Sequence, residues 1–336
     1  MPKISVCVPT YNRAPLLGAF LASLLNQTCR DFEIIVADNC SSDETPQIVH
    51  SFADPRLRYH RHDRNIGPFA NMNYLIDQAR GAYICIVHDD DLYGPEFLER
   101  ESAMLDSHPA VGMVHCAVYE ADAAGERRQV VRAYPTTRVL AGRDEFIRYL
   151  QGHNVCCSSV MARRELYRQS PFDPRFLCAD FLTWMKFALR ADVAYIADPL
   201  LDMRVHGDTV TSWLNPMRWH DEFVAILNEG FDLGVQVYPE MAAARGALYR
   251  AAGRAQARRF FTAALAAVAR GDFDLARGYS AVLEKLRALG APRGYAVAAR
   301  LATNAPARRL LQVAARLRRA RARRLARTFA VRTARA

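Results

Sequence analysis

The sequence predicts an α/β protein with a mostly parallel sheet flanked by helices and an α-helical extension at the C-terminal end. Two observations lead to this prediction. Apolar segments of strand length alternate three times with helical segments in the first hundred residues, and a polar loop follows each strand. From Pro216 onward helix-forming residues dominate, and we predict no strand there. Ligands are therefore expected at the carboxyl ends of the N-terminal strands.

Local signals define the individual elements. Lys3–Pro9 is β-branched in character and closed by proline, and Ala82–Val87 lacks the polar alternation of a half-exposed strand, which is typical of burial on both faces. The predicted strands are Lys3–Pro9, Phe32–Ala37, Arg58–His60, Ala82–Val87, Val111–Tyr119, Val155–Ala162, Val193–Ala197 and Leu200–Val205. The predicted helices are Ala14–Gln27, Thr45–Phe52, Phe69–Arg80, Pro95–Ser107 and Phe181–Arg190, with 121–142 forming loops or a sheet edge and breaks in the C-terminal region at Gly271, Gly290–Pro292 and Pro306.

Length and composition indicate a globular chain of one large or two medium domains. The 336 residues are 51% hydrophobic and 24% charged, which excludes a disordered protein. No run approaches the roughly 18 apolar residues of a membrane span, and no signal peptide precedes the first strand. The eight cysteines show no C-x-x-C spacing, so we expect a reducing, cytoplasmic location. We predict a domain at 1–215, with halves at 1–93 and 94–215, and a helical Arg/Ala-rich region at 216–336.

An acidic triplet follows the third long strand, at Asp89, Asp90 and Asp91. Adjacent carboxylates repel one another, so a folded protein keeps them together where a cation or water neutralises them. In an extended segment Asp89 and Asp91 would point the same way, with Asp90 opposed. Such aligned carboxylates suit Mg²⁺ or Mn²⁺ carrying a diphosphate. The competing interpretation is a solvated acidic turn that caps the helix beginning near Pro95.

Four motifs together resemble the family 2 glycosyltransferases, in their order and at about their spacing. The resemblance covers residues 1–215 and implies a GT-A fold, a single Rossmann-like α/β domain that transfers sugar from a nucleotide diphosphate with inversion. It also implies a role in polysaccharide or lipopolysaccharide biosynthesis. The motifs are Ser5-Val-Cys-Val-Pro-Thr-Tyr-Asn-Arg13, Val36-Ala-Asp-Asn-Cys-Ser-Ser-Asp-Glu-Thr45, Arg64-Asn-Ile-Gly67 and His88-Asp-Asp-Asp91.

The resemblance assigns donor-binding roles residue by residue. Asp38 matches the carboxylate that hydrogen-bonds the base, commonly uracil, which is sensible because a carboxylate accepts from an imide N–H. Asp89 and Asp91 match the family's D-x-D, ribose and metal respectively, and Asp90 is an alternative for either role. Taken alone, Tyr11 would be packing and Asp38 a helix cap. The implied donor-binding residues are Pro9, Thr10, Tyr11, Asp38, Arg64, Asp89 and Asp90, with Asp91 and His206 on the metal.

A second stretch resembles the family segment that carries the catalytic base. In Phe172–Trp184, Asp180 matches that acid, while Ala179 replaces the glutamate that usually precedes it. A base is needed because the attacking hydroxyl must lose its proton; otherwise Asp180 would simply cap its helix. The segment from Met203 to His206 resembles the family's Y-R-x-H, which makes His206 a metal or diphosphate ligand, or else a packing residue. Trp184 and Trp213 are candidates for the acceptor site, although core packing is favoured for Trp184.

The basic charge is concentrated in the C-terminal third of the chain. Residues 241–336 hold 22 Lys/Arg and 3 Asp/Glu, and 308–336 contain no acid. We favour reversible contact of 308–336 with an anionic membrane, at the inner face of the cell membrane, because acceptors in this family are often lipid-linked. A solvated or packing helix is the second interpretation. Nucleic-acid binding is disfavoured, because no aromatic interleaving accompanies the charge.

The sequence therefore predicts an inverting, metal-dependent glycosyltransferase. It uses a nucleotide sugar, Mg²⁺ or Mn²⁺, and a glycan or lipid-linked acceptor. The resemblance at Asp38 implies that the nucleotide is UDP. The alternatives are a nucleotidyltransferase of similar fold, which would release pyrophosphate, and a catalytically inactive sugar-nucleotide-binding protein. Asp180 and His206 argue against both alternatives, because only a transferase needs these two residues together.

Overall fold

The computed structural model describes residues 1–152, 155–206 and 215–303. Internal contacts divide them into two compact units. The first unit contains the described residues up to 206 together with 225–241, and the second contains 215–224 and 242–303. Helix α8 (Pro216–Val237) thus contributes its first turns to the second unit and the remainder to the first.

The first unit is built on a ten-stranded sheet in the order β3-β2-β1-β4-β9-β6-β10-β5, with β7 paired to β6 and β8 to β10. The strands β3, β2, β1 and β4 are parallel, and nearly all side chains of β1, β2 and β4 are buried, as continuous apolar runs require. The strands are β1 (Ile4–Thr10), β2 (Phe32–Asp38), β3 (Leu57–Arg61), β4 (Tyr83–Ile86), β5 (Leu92–Tyr93), β6 (Val111–Ala121), β7 (Arg127–Val131), β8 (Arg138–Leu140), β9 (Val160–Arg163) and β10 (Asp192–Arg204).

The remaining strands form a mixed half of the sheet. β9 is antiparallel to both β4 and β6, whereas β6 and β10 are parallel. β7 and β8 lie within 121–142, which confirms an edge-forming segment there. The short strand β5 pairs antiparallel with β10, Tyr93 lying opposite Leu201. This pairing brings the end of β10 alongside the segment that follows β4.

Helices cover the sheet with apolar faces of helical period. In α1 the buried residues are Leu17, Phe20, Leu21 and Leu24, which lie on one face. Trp184 of α7 is almost fully buried against Tyr167 and Phe187, so it is a core residue. The helices of the first unit are α1 (Ala14–Leu25), α2 (Thr45–His50), α3 (Pro68–Gln78), α4 (Phe97–Ser107), α5 (Gly142–Leu150), α6 (Arg164–Gln169), α7 (Ala179–Ala188) and the second part of α8.

Three of the predicted strands differ from the structure. The predicted strand Val155–Ala162 is wrong in its first half, because Cys157–Ser159 form a 3₁₀ turn in which the Ser159 amide donates to the Cys156 carbonyl, before β9 begins at Val160. The predicted pair around Pro199 is one strand, β10. Its register with β6 shifts on either side of Pro199, because proline cannot donate to the ladder.

The second unit is helical throughout its described residues. Its helices are α9 (Arg245–Arg270), α10 (Phe273–Lys285) and α11 (Arg293–Thr303) with the first turns of α8. Gly271 and Gly290 adopt left-handed conformations at helix ends, as the predicted breaks at these glycines require. Their core is alanine-rich, built around Phe260, Val282 and Leu283. Among the described helices of the chain, none is long and apolar enough to cross a bilayer.

Candidate active site

Side-chain hydrogen bonds join the loops at the carboxyl ends of β1 and β2. The backbone amides of residues 12, 13 and 14 donate to the side-chain oxygens of Ser41 at 2.9 Å, Thr45 at 3.1 Å and Asp43 at 3.1 Å. Asn12 has a φ of 52°, in the left-handed region that asparagine tolerates better than most residues. These polar side chains therefore fix the loop after β1.

Asn39 attaches the loop before α3 to the same edge. Its side-chain amide donates to Asn65 Oδ1 at 2.9 Å, and its Oδ1 accepts from the Ile66 amide at 2.8 Å. Gly67, with a φ of 89°, ends this loop at the start of α3. Arg64 lies in the loop with an exposed side chain. Three loops that follow three parallel strands are thus held by one hydrogen-bond network.

Asp38 lies at the end of β2 with a fully buried carboxylate. Oδ1 accepts from the Ser41 amide at 2.7 Å, and Oδ2 accepts from the Tyr59 hydroxyl at 2.7 Å, with Arg61 Nε 3.9 Å away. Burial and the Asp38 carboxylate together raise the pKa of Tyr59 above its usual range. Asp38 therefore organises its loop through both of its oxygens.

The segment Pro9–Tyr11 lies opposite Asp38 in the sheet register. Thr10 is the direct β-sheet partner of Asp38, and its carbonyl accepts from the Asn39 amide at 2.9 Å. Tyr11 follows with a side chain that is 41% exposed. An aromatic ring open to solvent beside this edge is suited to stacking on a base.

The acidic triplet lies in a turn, so the prediction of an extended segment is wrong. The Asp91 amide donates to the His88 carbonyl at 3.3 Å, and the chain then turns into β5. As a result, the side chains of Asp90 and Asp91 do not point in opposite directions. Side-chain atoms of His88, Asp90 and Asp91 lie within 4.8 Å of one another, a spacing at which the three could hold a metal ion.

Arg13 approaches the acidic turn from the loop after β1. Its Nε lies 3.5 Å from Asp89 Oδ1, and its Nη2 lies 3.6 Å from Asp90 Oδ2. The side chains of all three residues are mostly buried. A guanidinium at this position partly neutralises two of the three acids and places a positive charge where a diphosphate would lie.

The end of β10 closes the other side of the turn. The Arg204 amide donates to Asp91 Oδ1 at 2.9 Å, and His206 Nε2 lies 3.0 Å from Asp90 Oδ2. The structure therefore brings His206 to the acidic turn, as the sequence predicted for a metal or diphosphate ligand, although its contact there is with a carboxylate.

Burial dominates the electrostatics of the acidic turn. Burial, followed by the charge of Asp90, raises the pKa of Asp89 to about 7 and that of Asp91 to about 8. The Ser158 hydroxyl and the Arg204 amide favour ionised Asp91 but are outweighed. Asp91 Oδ2 is buried and has no hydrogen-bond partner of normal geometry among the described residues. A hard dication supplies what such an oxygen lacks, so these residues fit a divalent metal.

Asp180 lies in the first turn of α7, half-buried. The helix begins two residues earlier than predicted, at Ala179. Burial first, then the charges of Asp180 and Asp91, raise the pKa of the Cys157 thiol. Asp180 and Asp91 therefore both lie within electrostatic range of the Cys157 thiol.

The sequence reasoning missed two functional candidates, Arg13 and His88. Both stood inside quoted motifs, next to residues that received roles, and a cationic or imidazole side chain in such a motif was the available signal. Trp213 and residues 308–336, which the sequence singled out, lie outside the described residues.

The fold and this site define a class: an open α/β protein with an acidic turn, able to hold a metal ion, at the carboxyl ends of its parallel strands. The profile of Glycosyl transferase family 2 matches residues 5–170. Through that segment the chain belongs to this family.

Known proteins similar to the chain agree with the family. A PGL/p-HBAD biosynthesis glycosyltransferase of Mycobacterium bovis is 32% identical over 180 residues, which span 52% of this chain and 65% of that protein. A GalNAc(5)-diNAcBac-PP-undecaprenol beta-1,3-glucosyltransferase of Campylobacter jejuni is 43% identical over 94 residues, 27% of this chain and 30% of that protein. The solved structure of S. aureus TarS 1-349 with UDP-GlcNAc has the same GT-A fold, with a TM-score of 0.64 at 20% identity, covering 94% of this chain and 92% of that one.

Proposed function

We propose that this protein transfers a sugar from a nucleoside diphosphate sugar to a hydroxyl of a glycan or lipid-linked acceptor, with inversion. The observation that carries the proposal is the junction at the sheet edge. There the loops after β1 and β2 are tied together, and Arg13 reaches from them to the acidic turn. A nucleoside beside the loops after β1 and β2 and a diphosphate beside the acidic turn would then occupy one continuous site.

The donor nucleoside would lie against Pro9, Thr10 and Tyr11. Tyr11 would stack on the base, and the loop that follows Asp38 would hydrogen-bond to the polar edge of the base. A uracil base is supported by the UDP-GlcNAc held by TarS, a protein of the same fold. Asp89 and Asp90 would contact the donor, and Arg64, on the exposed loop before α3, could reach it by a change of rotamer.

A divalent cation, Mg²⁺ or Mn²⁺, would be held at the acidic turn by Asp91 with its neighbours, and would stabilise charge on the departing diphosphate. Arg13 would share that task, because its guanidinium already lies beside Asp89 and Asp90. His206 bonds to Asp90 and would keep that carboxylate oriented.

Asp180 would be the general base. In an inverting transfer the acceptor hydroxyl attacks the anomeric carbon in one displacement, and its proton must pass to a group on the acceptor side. Asp180 is half-buried, and both Asp180 and Asp91 lie within electrostatic range of the Cys157 thiol. Its carboxylate would accept that proton while the sugar–diphosphate bond breaks.

A lipid-linked acceptor is supported by the name of the Campylobacter relative, whose substrate carries an undecaprenol group. The predicted membrane contact of 308–336, and with it a location at the cytoplasmic face of the membrane, stays a prediction from charge and composition, since these residues lie outside the described part of the chain.

The decisive experiment incubates the purified chain with a panel of UDP-, GDP- and TDP-sugars, with and without Mn²⁺ or Mg²⁺. Binding and slow hydrolysis of one donor, with release of a nucleoside diphosphate, is the expected result. Release of pyrophosphate would instead identify a nucleotidyltransferase. Tight binding of a donor that stays intact, even with candidate acceptors present, would identify an inactive sugar-nucleotide-binding protein.

A further inference from the structure

We propose that His88 supplies a nitrogen ligand to the cation at the acidic turn, and that the site therefore prefers Mn²⁺ or a related transition-metal ion to Mg²⁺. The inference rests on the proposed function for the presence of a divalent cation. It adds the identity of one ligand and the chemical class of the ion.

The geometry places an imidazole nitrogen within range of two carboxylates. One ligand atom from each of His88, Asp90 and Asp91 lies within 4.8 Å of the other two. Ligand atoms that share one small dication lie at most about 4.2–4.6 Å apart, since each bond is roughly 2.1–2.3 Å long. Small side-chain rotations therefore suffice to bring all three atoms onto one ion.

A second observation points to a cation at this position. Asp91 is 2% exposed, and its Oδ1 accepts from the Arg204 amide. Its Oδ2 is buried without a hydrogen-bond partner of normal geometry among the residues described. Burying a carboxylate oxygen in this way is costly unless it coordinates a metal or pairs with a charge.

The other histidine at the turn has a different role. His206 Nε2 is directed at Asp90 Oδ2, 3.0 Å away, so this ring nitrogen is engaged with the carboxylate. A histidine that contacts a ligating carboxylate orients it from outside the coordination sphere. His206 is therefore a positioning residue, and His88 is the ring that reaches the ion.

The ligand set predicts the metal preference. Mg²⁺ demands near-ideal octahedral geometry and binds oxygen ligands, whereas imidazole nitrogen suits transition-metal ions. Two carboxylates with one imidazole suit Mn²⁺, which accepts both ligand types. We expect the full-length protein to bind Mn²⁺ at least about tenfold more tightly than Mg²⁺, a difference that His88→Ala should largely remove.

The test measures metal binding on the full chain in the presence of UDP, without a turnover assay. Mn²⁺ affinity is read from the free-ion EPR signal, and Mg²⁺ affinity from competition. Pulsed EPR then detects the magnetic coupling of a ¹⁴N nucleus directly bonded to Mn²⁺. The variants are His88→Ala, His88→Asn and His206→Ala. His108→Ala is the matched control, because His108 precedes the opposite, amino-terminal end of β6.

The expected result is a ¹⁴N coupling in the parent protein, in His206→Ala and in His108→Ala that disappears in both His88 variants. His88→Asn should also bind Mg²⁺ relatively better, because its amide oxygen replaces the nitrogen ligand, and misfolding could not produce such a shift in preference. A coupling that persists without His88, or that disappears with His206 alone, overturns the assignment. Neither of those results contradicts the proposed glycosyl transfer, which the donor screen tests separately. Mn²⁺ binding that fails in the parent protein overturns both this inference and the metal dependence.

Discussion

Two buried aspartates at the same edge of the sheet have very different surroundings. Asp38, at the end of β2, is fully buried, and both of its oxygens accept hydrogen bonds, from the Ser41 amide and the Tyr59 hydroxyl. Asp91, after β4, is almost as buried, but among the described residues only its Oδ1 has a hydrogen bond of normal geometry. The first carboxylate is satisfied by the fold. The second has an oxygen that a bound cation would satisfy.

This difference separates two kinds of site residue that burial alone would group together. A carboxylate whose bonds are all made within the protein fixes a loop and thereby shapes a pocket. A buried carboxylate oxygen that has no hydrogen-bond partner destabilises the folded protein while its ligand is absent. In the same low-dielectric site, its interaction with the bound ligand is strong. Substitution of each acid should therefore damage a different property of the protein.

Substitution of Asp91 is expected to have the largest effect on catalysis. In Asp91→Asn the amide keeps an oxygen for the Arg204 amide but carries no charge for a hard cation. We expect transfer to fall by more than roughly 10³-fold, with Mn²⁺ affinity reduced and the unfolding midpoint changed by no more than a few degrees. Steady-state kinetics, Mn²⁺ titration and thermal unfolding measure the three quantities.

Full activity in Asp91→Asn would mean that Asp90, which lies in the same candidate metal cluster with His88, is the carboxylate that binds the cation. A large loss of stability would show instead that Asp91 resembles Asp38 and serves the fold.

Asp180 extends the comparison to a carboxylate that is half-exposed. Asp180→Asn should leave donor and metal affinity nearly unchanged and reduce turnover by roughly 10²–10⁴-fold, the usual contribution of a positioned general base. Donor affinity is measured by titration with the nucleoside diphosphate, and turnover with saturating donor. If donor affinity collapses, Asp180 is a structural residue or a donor ligand, and the base lies elsewhere.

For Asp38 the expected loss is one of stability. Asp38→Ala leaves the Ser41 amide and the partly buried Tyr59 hydroxyl without their acceptor, which should cost about 2–4 kcal/mol of unfolding free energy and loosen the donor site. Tyr59→Phe removes one of these bonds and leaves the buried Asp38 Oδ2 with Arg61 Nε 3.9 Å away, so it should cost about 1–2 kcal/mol, less than the loss of both bonds. Urea unfolding of both variants checks the ratio. Equal stabilities of Asp38→Ala and the parent would remove the contrast with Asp91.

The N-terminal half of the sheet and its polar loops could be predicted from the sequence because their signals are local. A buried parallel strand is a continuous apolar run, and the polar residues that follow it must lie at the ligand edge. The acidic triplet was found in this way, whereas the family resemblance singled out Asp38 and the segment after β1. The glycines that end α9 and precede α11 were also visible, because the left-handed conformation selects glycine.

The remainder depends on partners distant in sequence. The turn at Asp89–Asp91 follows from the pairing of β5 with β10, where Tyr93 meets Leu201, and a local pattern cannot contain that contact. The antiparallel direction of β9 is likewise set by β4 and β6. Arg13 and His88 acquire their roles only after these contacts bring the loops together. The extended-segment geometry predicted for the triplet failed for this reason.

One further buried acid tests whether an unpartnered oxygen always marks a ligand site. Glu101, on α4, is fully buried, and neither carboxyl oxygen has a hydrogen-bond partner of normal geometry among the described residues. The titratable groups within electrostatic range are Cys116, Cys85 and Tyr167, all uncharged at neutral pH because burial raises the pKa of each. Desolvation likewise raises the pKa of Glu101 well above its usual range. Among the described residues no cluster of metal ligands includes Glu101, so the group stays protonated instead of binding a cation.

The smallest predicted effect follows from that protonation. Because the folded pKa of Glu101 exceeds the unfolded one, the folded state holds a proton that the unfolded chain releases. Stability from this group is complete below the unfolded pKa and is lost as the pH rises toward the folded value. Glu101→Gln cannot ionise, so its unfolding midpoint relative to the parent should rise between pH 5 and pH 8, by about 2–4 °C for each kcal/mol recovered. Glu126→Gln, on an exposed turn, is the control and should show no such trend. A difference between Glu101→Gln and the parent that is constant with pH would mean that Glu101 is ionised in the folded protein and has a counter-charge, which would make it a candidate binding residue like Asp91.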